Sequence, residues 1–271
     1  MKQLSLTIFE LIYLGNLTGK YMHAVPNVYS ELSEHDASES RQAAMDSLLA
    51  KGFIEMDFDG EITISQPILE FVQFCTECDG YVLASRNGSG TERNDMILWR
   101  RQTAFMHATL QGLDYQFSLI SPLSAADHIN GLWFRAYPEV SDSKSVQITQ
   151  LVLKKAKRLL AQNEYDAAER VLTQSRVDPW LSQIILDALS GVSDFYSILF
   201  VDMHEEGATS NSFVFSGGRF GCLQMCPVVD NYRSAAVFTL VSPKEIKAAI
   251  QKETINFIQG EEVQLCPKVL S

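Results

Sequence analysis

At 271 residues, 46% apolar and 20% charged, the chain is long enough for two domains, or for one large domain of two related halves, with the make-up of a soluble globular protein. A net charge of −11 argues against nonspecific nucleic-acid binding, which depends on clustered Lys and Arg. No segment approaches the roughly 20 apolar residues of a membrane span, and five cysteines without a framework pattern point to a reducing, cytoplasmic compartment.

The first 19 residues have the apolar look of a signal peptide, but Glu10 interrupts the run and no small-residue cleavage site follows. The spacing of Leu4, Ile8, Leu11, Ile12 and Leu14 instead predicts an amphipathic helix over 5–17. A polar linker holding Pro26 leads to a helix near 28–32. Ser38 or Ser40 then caps a helix through Ala50, ended by Lys51-Gly52. A hairpin is expected over 53–58 and 61–64, turning at Asp59-Gly60, and Pro67 opens a helix over 68–74. Three helices and a hairpin are the order of a winged-helix module.

A first meander follows, with strands at 81–85, 96–101 and 117–122. Between the first two lies the most loop-like stretch of the chain, Arg86 to Asp95, expected to be a long mobile tip. Residues 103–112 read as helix. After a further helix over 123–132, residues 139–145 form the best linker. Helices are then expected over 146–161, 164–174 and 179–190, the first with Ile148, Leu151, Val152, Lys155 and Leu159 on or near one face. A second meander occupies 196–203, 212–216, 222–229 and 235–241, with a flexible connection at 205–211 and a tight turn at Gly217-Gly218. A helix over 244–258 precedes a tail with strand-like Val263 and Leu265.

The two meanders share a signature. Phe117-Ser-Leu-Ile-Ser-Pro122 returns as Phe238-Thr-Leu-Val-Ser-Pro243, and each copy passes from strand into helix. The expected fold is therefore α+β: quasi-two-fold duplicated halves, with a central antiparallel sheet flanked by helical layers and a winged-helix-like N-terminal segment. The first half spans 1–138, with the winged-helix-like segment over 1–74. The second spans 146–259, and 260–271 is a tail, all within one compact domain.

Chemical motifs are sparse. Nine carboxylates against two cations between Glu31 and Glu61 would repel a DNA duplex from the winged-helix surface. Cys75-x-x-Cys78 has zinc-ligand spacing, but Cys222 and Cys226 sit on a predicted strand about 13 Å apart at ~3.3 Å per residue, too far for one tetrahedral site. The five histidines stand apart. No nucleophile elbow, Walker loop or Rossmann fingerprint is present, and Gly217-Gly-Arg-Phe-Gly221 joins strand to strand rather than strand to helix. Asp202, Glu205 and Glu206 read as an acidic turn. The expectation is no enzyme, no cofactor and no metal.

On four features the chain resembles the EspG family of cytosolic chaperones of type VII (ESX-type) secretion, and looks closest to divergent members from low-GC Gram-positive bacteria. These are the opening apolar helix, Ala43-Ala-Met-Asp-Ser-Leu-Leu-Ala-Lys-Gly-Phe53 running into a hairpin, the meander with its long tip, and the closing strand with Ser242-Pro243 and a terminal helix. The resemblance implies a grip on the tip of a substrate's helical hairpin, through the sheet, the C-terminal helical layer and the loop matching Arg86 to Asp95. The expected partner is a helical secretion substrate, a toxin or WXG/LXG-type protein with a helical N-terminal targeting region, held 1:1, with no nucleic acid or membrane involved. The residues expected to bind it are Arg86, Arg93 and Asp95 on the loop and Phe213, Phe215 and Arg233 on the second half. Alternative readings are a winged-helix transcriptional regulator and an immunity or scaffold protein binding a mature toxin.

Overall fold

Each half opens with a short strand that ends in threonine and passes straight into a helix. The structure, a computed structural model, describes residues 4–25, 32–88, 94–111, 114–131, 137–140, 143–230 and 233–260. In the first half, strand β1 (Leu4–Thr7) runs into α1 (Ile8–Thr18) through a capping box: Thr7 accepts from the Glu10 amide and Glu10 from the Thr7 amide. In the second, β8 (Ser145–Thr149) runs into α5 (Gln150–Ala161) with Thr149 as N-cap.

Between these openings lie α2 (Glu34–Ala50), β2 (Ile54–Met56), β3 (Ile62–Ile64), α3 (Gln66–Thr76), β4 (Gly80–Asn87), β5 (Asn94–Arg101), β6 (Ala104–Gln111), β7 (Asp114–Ile120) and α4 (Pro122–Gly131). After α5 come α6 (Tyr165–Gln174), α7 (Pro179–Leu189), β9 (Asp194–His204), β10 (Gly207–Gly218), β11 (Gly221–Asp230), β12 (Arg233–Val241) and α8 (Pro243–Gln259).

The architecture is α+β, a large antiparallel sheet flanked by helices. The strand order is β1-β7-β6-β5-β4 in the first half and β8-β12-β11-β10-β9 in the second, one plan used twice. In both, the opening strand pairs with the last strand of its own meander: Leu6 stands opposite Tyr115, and Ile148 opposite Ala236. The echoed Ser-Pro pairs have one local role. Ser121 accepts from the Ser124 amide and Ser242 from the Lys244 amide, so each serine caps a helix whose first residue is proline.

Contacts divide the chain into two units. One comprises the described residues of 1–83, 96–125 and 200–209, and the other the described residues of 84–95, 126–199 and 210–271. Strands β4, β5, β9 and β10 each give residues to both. The core of the first unit joins Leu6, Leu11 and Leu14 to Ile68, Phe71 and Val72 of α3 and to Trp99 and Phe117 of β5 and β7. Asp79 anchors this unit: its carbonyl accepts from the Met203 amide and its amide donates to the Arg100 carbonyl. The Arg100 guanidinium donates to Asp202 at 2.9 Å, with both side chains buried. The core of the second unit is laid out alike, with Ala156, Leu172 and Ile185 of α5, α6 and α7 over Ile148, Leu223 and Phe238 of the sheet.

Several expectations change. Residues 104–111 form a central strand rather than a helix, because Phe105, Met106, His107 and Ala108 are all buried and both faces are covered. A strand buried on both sides loses its alternation and reads like a buried helix. Residues 5–7 and 146–149 are strand, not the first turns of helices. Ser33, not Ser38 or Ser40, caps α2. The flexible connection expected over 205–211 contracts to Glu205-Glu206, and Gly217-Gly218 lies inside β10, the turn falling on Arg219-Phe220. Of the stretch expected as a tip over 86–95, residues 86–87 belong to β4 and 94–95 to β5. The helix near 28–32 and the tail strand lie outside the described residues.

Candidate functional site

β11 and β12 form a ribbon whose tip closes with Val228 opposite Ala235, Val229 opposite Ser234 and Asp230 opposite Arg233. Beside it β8 ends at Thr149, opposite Ala235, and the chain turns at once into α5. That abrupt entry brings the first turn of α5 to the ribbon tip. Gln150 and Leu153 face Pro227, Val228, Val229 and Ala235 across a groove of about 430 Å³. Its rim is apolar and open to water: Val229 is 79% exposed.

Away from the core, α5 is basic. Ala156 is buried and Val152, Leu153, Leu159 and Leu160 pack inward. Lys154, Lys155, Lys157 and Arg158 are all exposed. Helical spacing lines up Leu151, Lys154, Lys155 and Arg158 on the solvent side. The sequence had placed Leu151 and Lys155 on or near the apolar face; with Ile148 in β8, the inward face is set by Val152, Leu153, Ala156, Leu159 and Leu160, and both are exposed.

The expected binding residues fall in three places. Arg86 on β4 lays its guanidinium over the Tyr196 ring, 5.6 Å from the centroid, and Phe215 stacks on the same ring at 4.7 Å. Tyr196 is thus the hub that brings two of them together, and it is buried, as are Phe213 and Phe215. Asp95 is half-buried at the start of β5. Arg233 is the first residue of β12, at the tip of the ribbon that forms the groove. Arg93 lies outside the described residues.

The interior stack is locked by a strap. Tyr137 donates its hydroxyl to Asp194 at 2.8 Å and meets the Tyr196 hydroxyl at 2.7 Å. Burial, then these two partners, push the Tyr137 phenol far above its ordinary range. The Tyr137 ring lies directly on Gly217, where an added Cβ would come within 2.2 Å of it, and Val140 covers Gly221 in the same way at 2.5 Å. Glu139 accepts from Ser242 at 2.7 Å and pairs with Lys244 at 3.2 Å at the start of α8. Residues 137–140 therefore tie β10, β11 and α8 together.

Burial raises the Cys75 thiol well above its ordinary value, Cys78 to about 11 and Cys222 to about 12, leaving all three protonated and unreactive at neutral pH. Asp202 is held by Arg100. Among the described residues, metal-ligand proximity occurs at His35, Asp36 and Glu39, all exposed on α2. A second depression, of about 330 Å³, is lined by Ile12, Gly15, Asn16, Tyr21 and Met22 in the first unit. No described helix is long and apolar enough to cross a membrane.

No protein-family model matches the chain, and no curated protein matches it in sequence. Among solved structures it is similar to the Mycobacterium tuberculosis type VII secretion system chaperone EspG5, in a structure of that protein in complex with a PE25–PPE41 dimer. The match has a TM-score of 0.51 at 12% identity and covers 94% of this chain and 96% of that one. The two share a fold from end to end.

Proposed function

We propose that this chain is a secretion chaperone or adaptor, which binds a helical export substrate, keeps it soluble and delivers it to a type VII machinery. The observation that carries this reading is the shared fold, which spans nearly the whole of both this chain and a chaperone solved with its protein partner. The ribbon-tip groove, with Val229 exposed at its rim, suits an apolar core of contact inside a polar rim.

In this reading the substrate is a toxin or WXG/LXG-type protein, held 1:1 in the cytoplasm through its helical targeting region. Arg86, Arg93 and Asp95 form or support the β4–β5 end of the surface, and Arg233 the groove end. Phe213 and Phe215 act from within, by holding the strands that present it.

The test is a pull-down with the tagged full-length chain from lysate of its own host, followed by a truncation series of any captured protein. A single stoichiometric partner retained through its helical N-terminal region is the expected result. Retention through a toxic C-terminal domain would mark an immunity protein instead. Recovery of DNA would favour the regulator reading, although Asp57, Asp59 and Glu61 surround the exposed Phe58 at the winged-helix hairpin.

A further inference from the structure

Four of the chain's 22 lysines and arginines fall within five residues of α5: Lys154, Lys155, Lys157 and Arg158. The helix contains no acidic residue. Several cations elsewhere are paired: Lys20 and Arg101 meet Glu77, Lys51 meets Glu10, Arg219 meets Asp187 and Lys244 meets Glu139. None of the four on α5 forms an ion pair with a described residue, although the chain carries 33 carboxylates. Lys154 and Arg158 are also like charges at i and i+4, an arrangement that costs a helix a few tenths of a kcal/mol. An acidic protein thus gathers four unpaired cations within five residues of one helix, in a form that works against the helix bearing it.

Lys154 and Lys157 share the side of α5 on which Gln150 and Leu153 line the groove, and Lys155 and Arg158 lie next to them around the helix. Gln150 and the four cations extend over about 12 Å of helix at 1.5 Å per residue. At the N-terminal end of that line lie Leu153, Val228 and Val229 and the groove of about 430 Å³. The positive end of the α5 dipole opens at the same place. Cations over two turns beside an apolar trough match one kind of ligand, a helix with carboxylates on one side and aliphatic residues on the other.

We infer that α5 and the ribbon-tip groove receive an acidic amphipathic helix of a protein partner. This rests on the chaperone reading and deepens it by naming the charge and shape of the segment held. The net charge of −11 repels an extended anionic surface such as a membrane or a duplex. A single short helix instead meets mainly the local stripe, since charges beyond about 8 Å are screened at physiological salt. The trough also needs aliphatic side chains, which a phosphate backbone lacks.

The experiment uses the full-length protein and a synthetic amphipathic peptide with a leucine face and a glutamate face, with a leucine–lysine version as control. Binding is followed by fluorescence anisotropy at low and high salt. The glutamate peptide is expected to bind and to weaken with salt. Lys154→Glu/Lys155→Glu/Arg158→Glu should weaken it by at least roughly tenfold. Lys247→Glu/Lys252→Glu, at exposed positions on α8, should leave binding within about twofold. If the triple reversal fails to fold, Lys154→Gln/Lys155→Gln/Arg158→Gln takes its place.

Equal loss in the α8 variant would reduce the effect to net charge and overturn the inference. Equal binding of the lysine peptide would do the same. Retention on phosphatidylserine vesicles without peptide binding would replace the protein partner with a membrane. A gain in affinity on truncation after Gly260 would identify the chain's own tail as the occupant. The two readings fail separately. A host partner captured equally by wild type and by the α5 variant sinks this inference and leaves the chaperone reading standing. Peptide binding that depends on α5, with no export partner captured, does the reverse.

Discussion

Gly217 shows how much one missing side chain can hold. A Cβ there would overlap the Tyr137 ring, and Tyr137 cannot withdraw without releasing its hydrogen bonds to buried Asp194 and Tyr196. Gly217→Ala is therefore expected to destabilise the fold by about 3 kcal/mol, combining overpacking with stranded buried polar groups. Tyr137→Ala removes the obstruction, so the double variant should lie well above the sum of the singles in urea denaturation. Additive losses would show that the ring does not clamp this strand. In sequence, Gly217 reads only as part of a turn, because nothing links it to a tyrosine 80 positions away. The same limit hid the Arg86–Tyr196–Phe215 stack. Alternating Phe213 and Phe215 announce a strand face, but not whether it looks inward.

Helix α1 meets α2 through one ion pair, between Glu10, in the capping box, and Lys51, the C-cap of α2, at 2.7 Å. Burial pushes the Glu10 carboxyl up, but hydrogen bonds from Lys51, Ser47 and Thr7, with the Lys51 charge, outweigh it and leave its pKa below the ordinary value. A depressed folded-state pKa contributes stability above the unfolded value of about 4.3, which is lost as pH falls through the folded one. Lys51→Met should therefore cost about 2 kcal/mol at neutral pH, less than for a fully buried pair because Lys51 is partly exposed. Wild type and variant should converge as pH falls below the depressed folded-state value of Glu10. Chemical denaturation at neutral and acidic pH decides it, and a difference independent of pH would assign the loss to packing. The helix ends here were legible, since Lys51-Gly52 and Pro67 are local signals. The opening strands were not: β1 and β8 are four and five residues long and enter their helices with no turn residue between.

At the scale of the molecule the repeat was legible from one echoed hexapeptide, because Ser-Pro reports a helix start that each half needs. The division into units follows another line. The first unit takes 200–209 from the second half of the chain, and the second takes 84–95 from the first. Fragments 1–138 and 139–271 should accordingly fail to fold alone and recover structure only when co-expressed, as a complex that melts in one transition. Independent folding of either, seen as a cooperative melt of the isolated fragment, would overturn this. The basic stripe on α5 was written plainly in the sequence as Lys-Lys-Ala-Lys-Arg. Its meaning needed the structure, which shows all four cations outward and an apolar groove at the end of the helix.

The pairing of each opening strand with the last strand of its own half also governs how the chain is made. Leu4 is translated before its partner Phe117, which follows more than a hundred residues later. At about 5–20 residues per second, the wait is on the order of ten seconds. Until then α1 has no sheet to cover, and Leu6, Leu11 and Leu14 stay open to whatever the cell offers. The nascent chain faces the same problem that its mature form is proposed to solve for another protein.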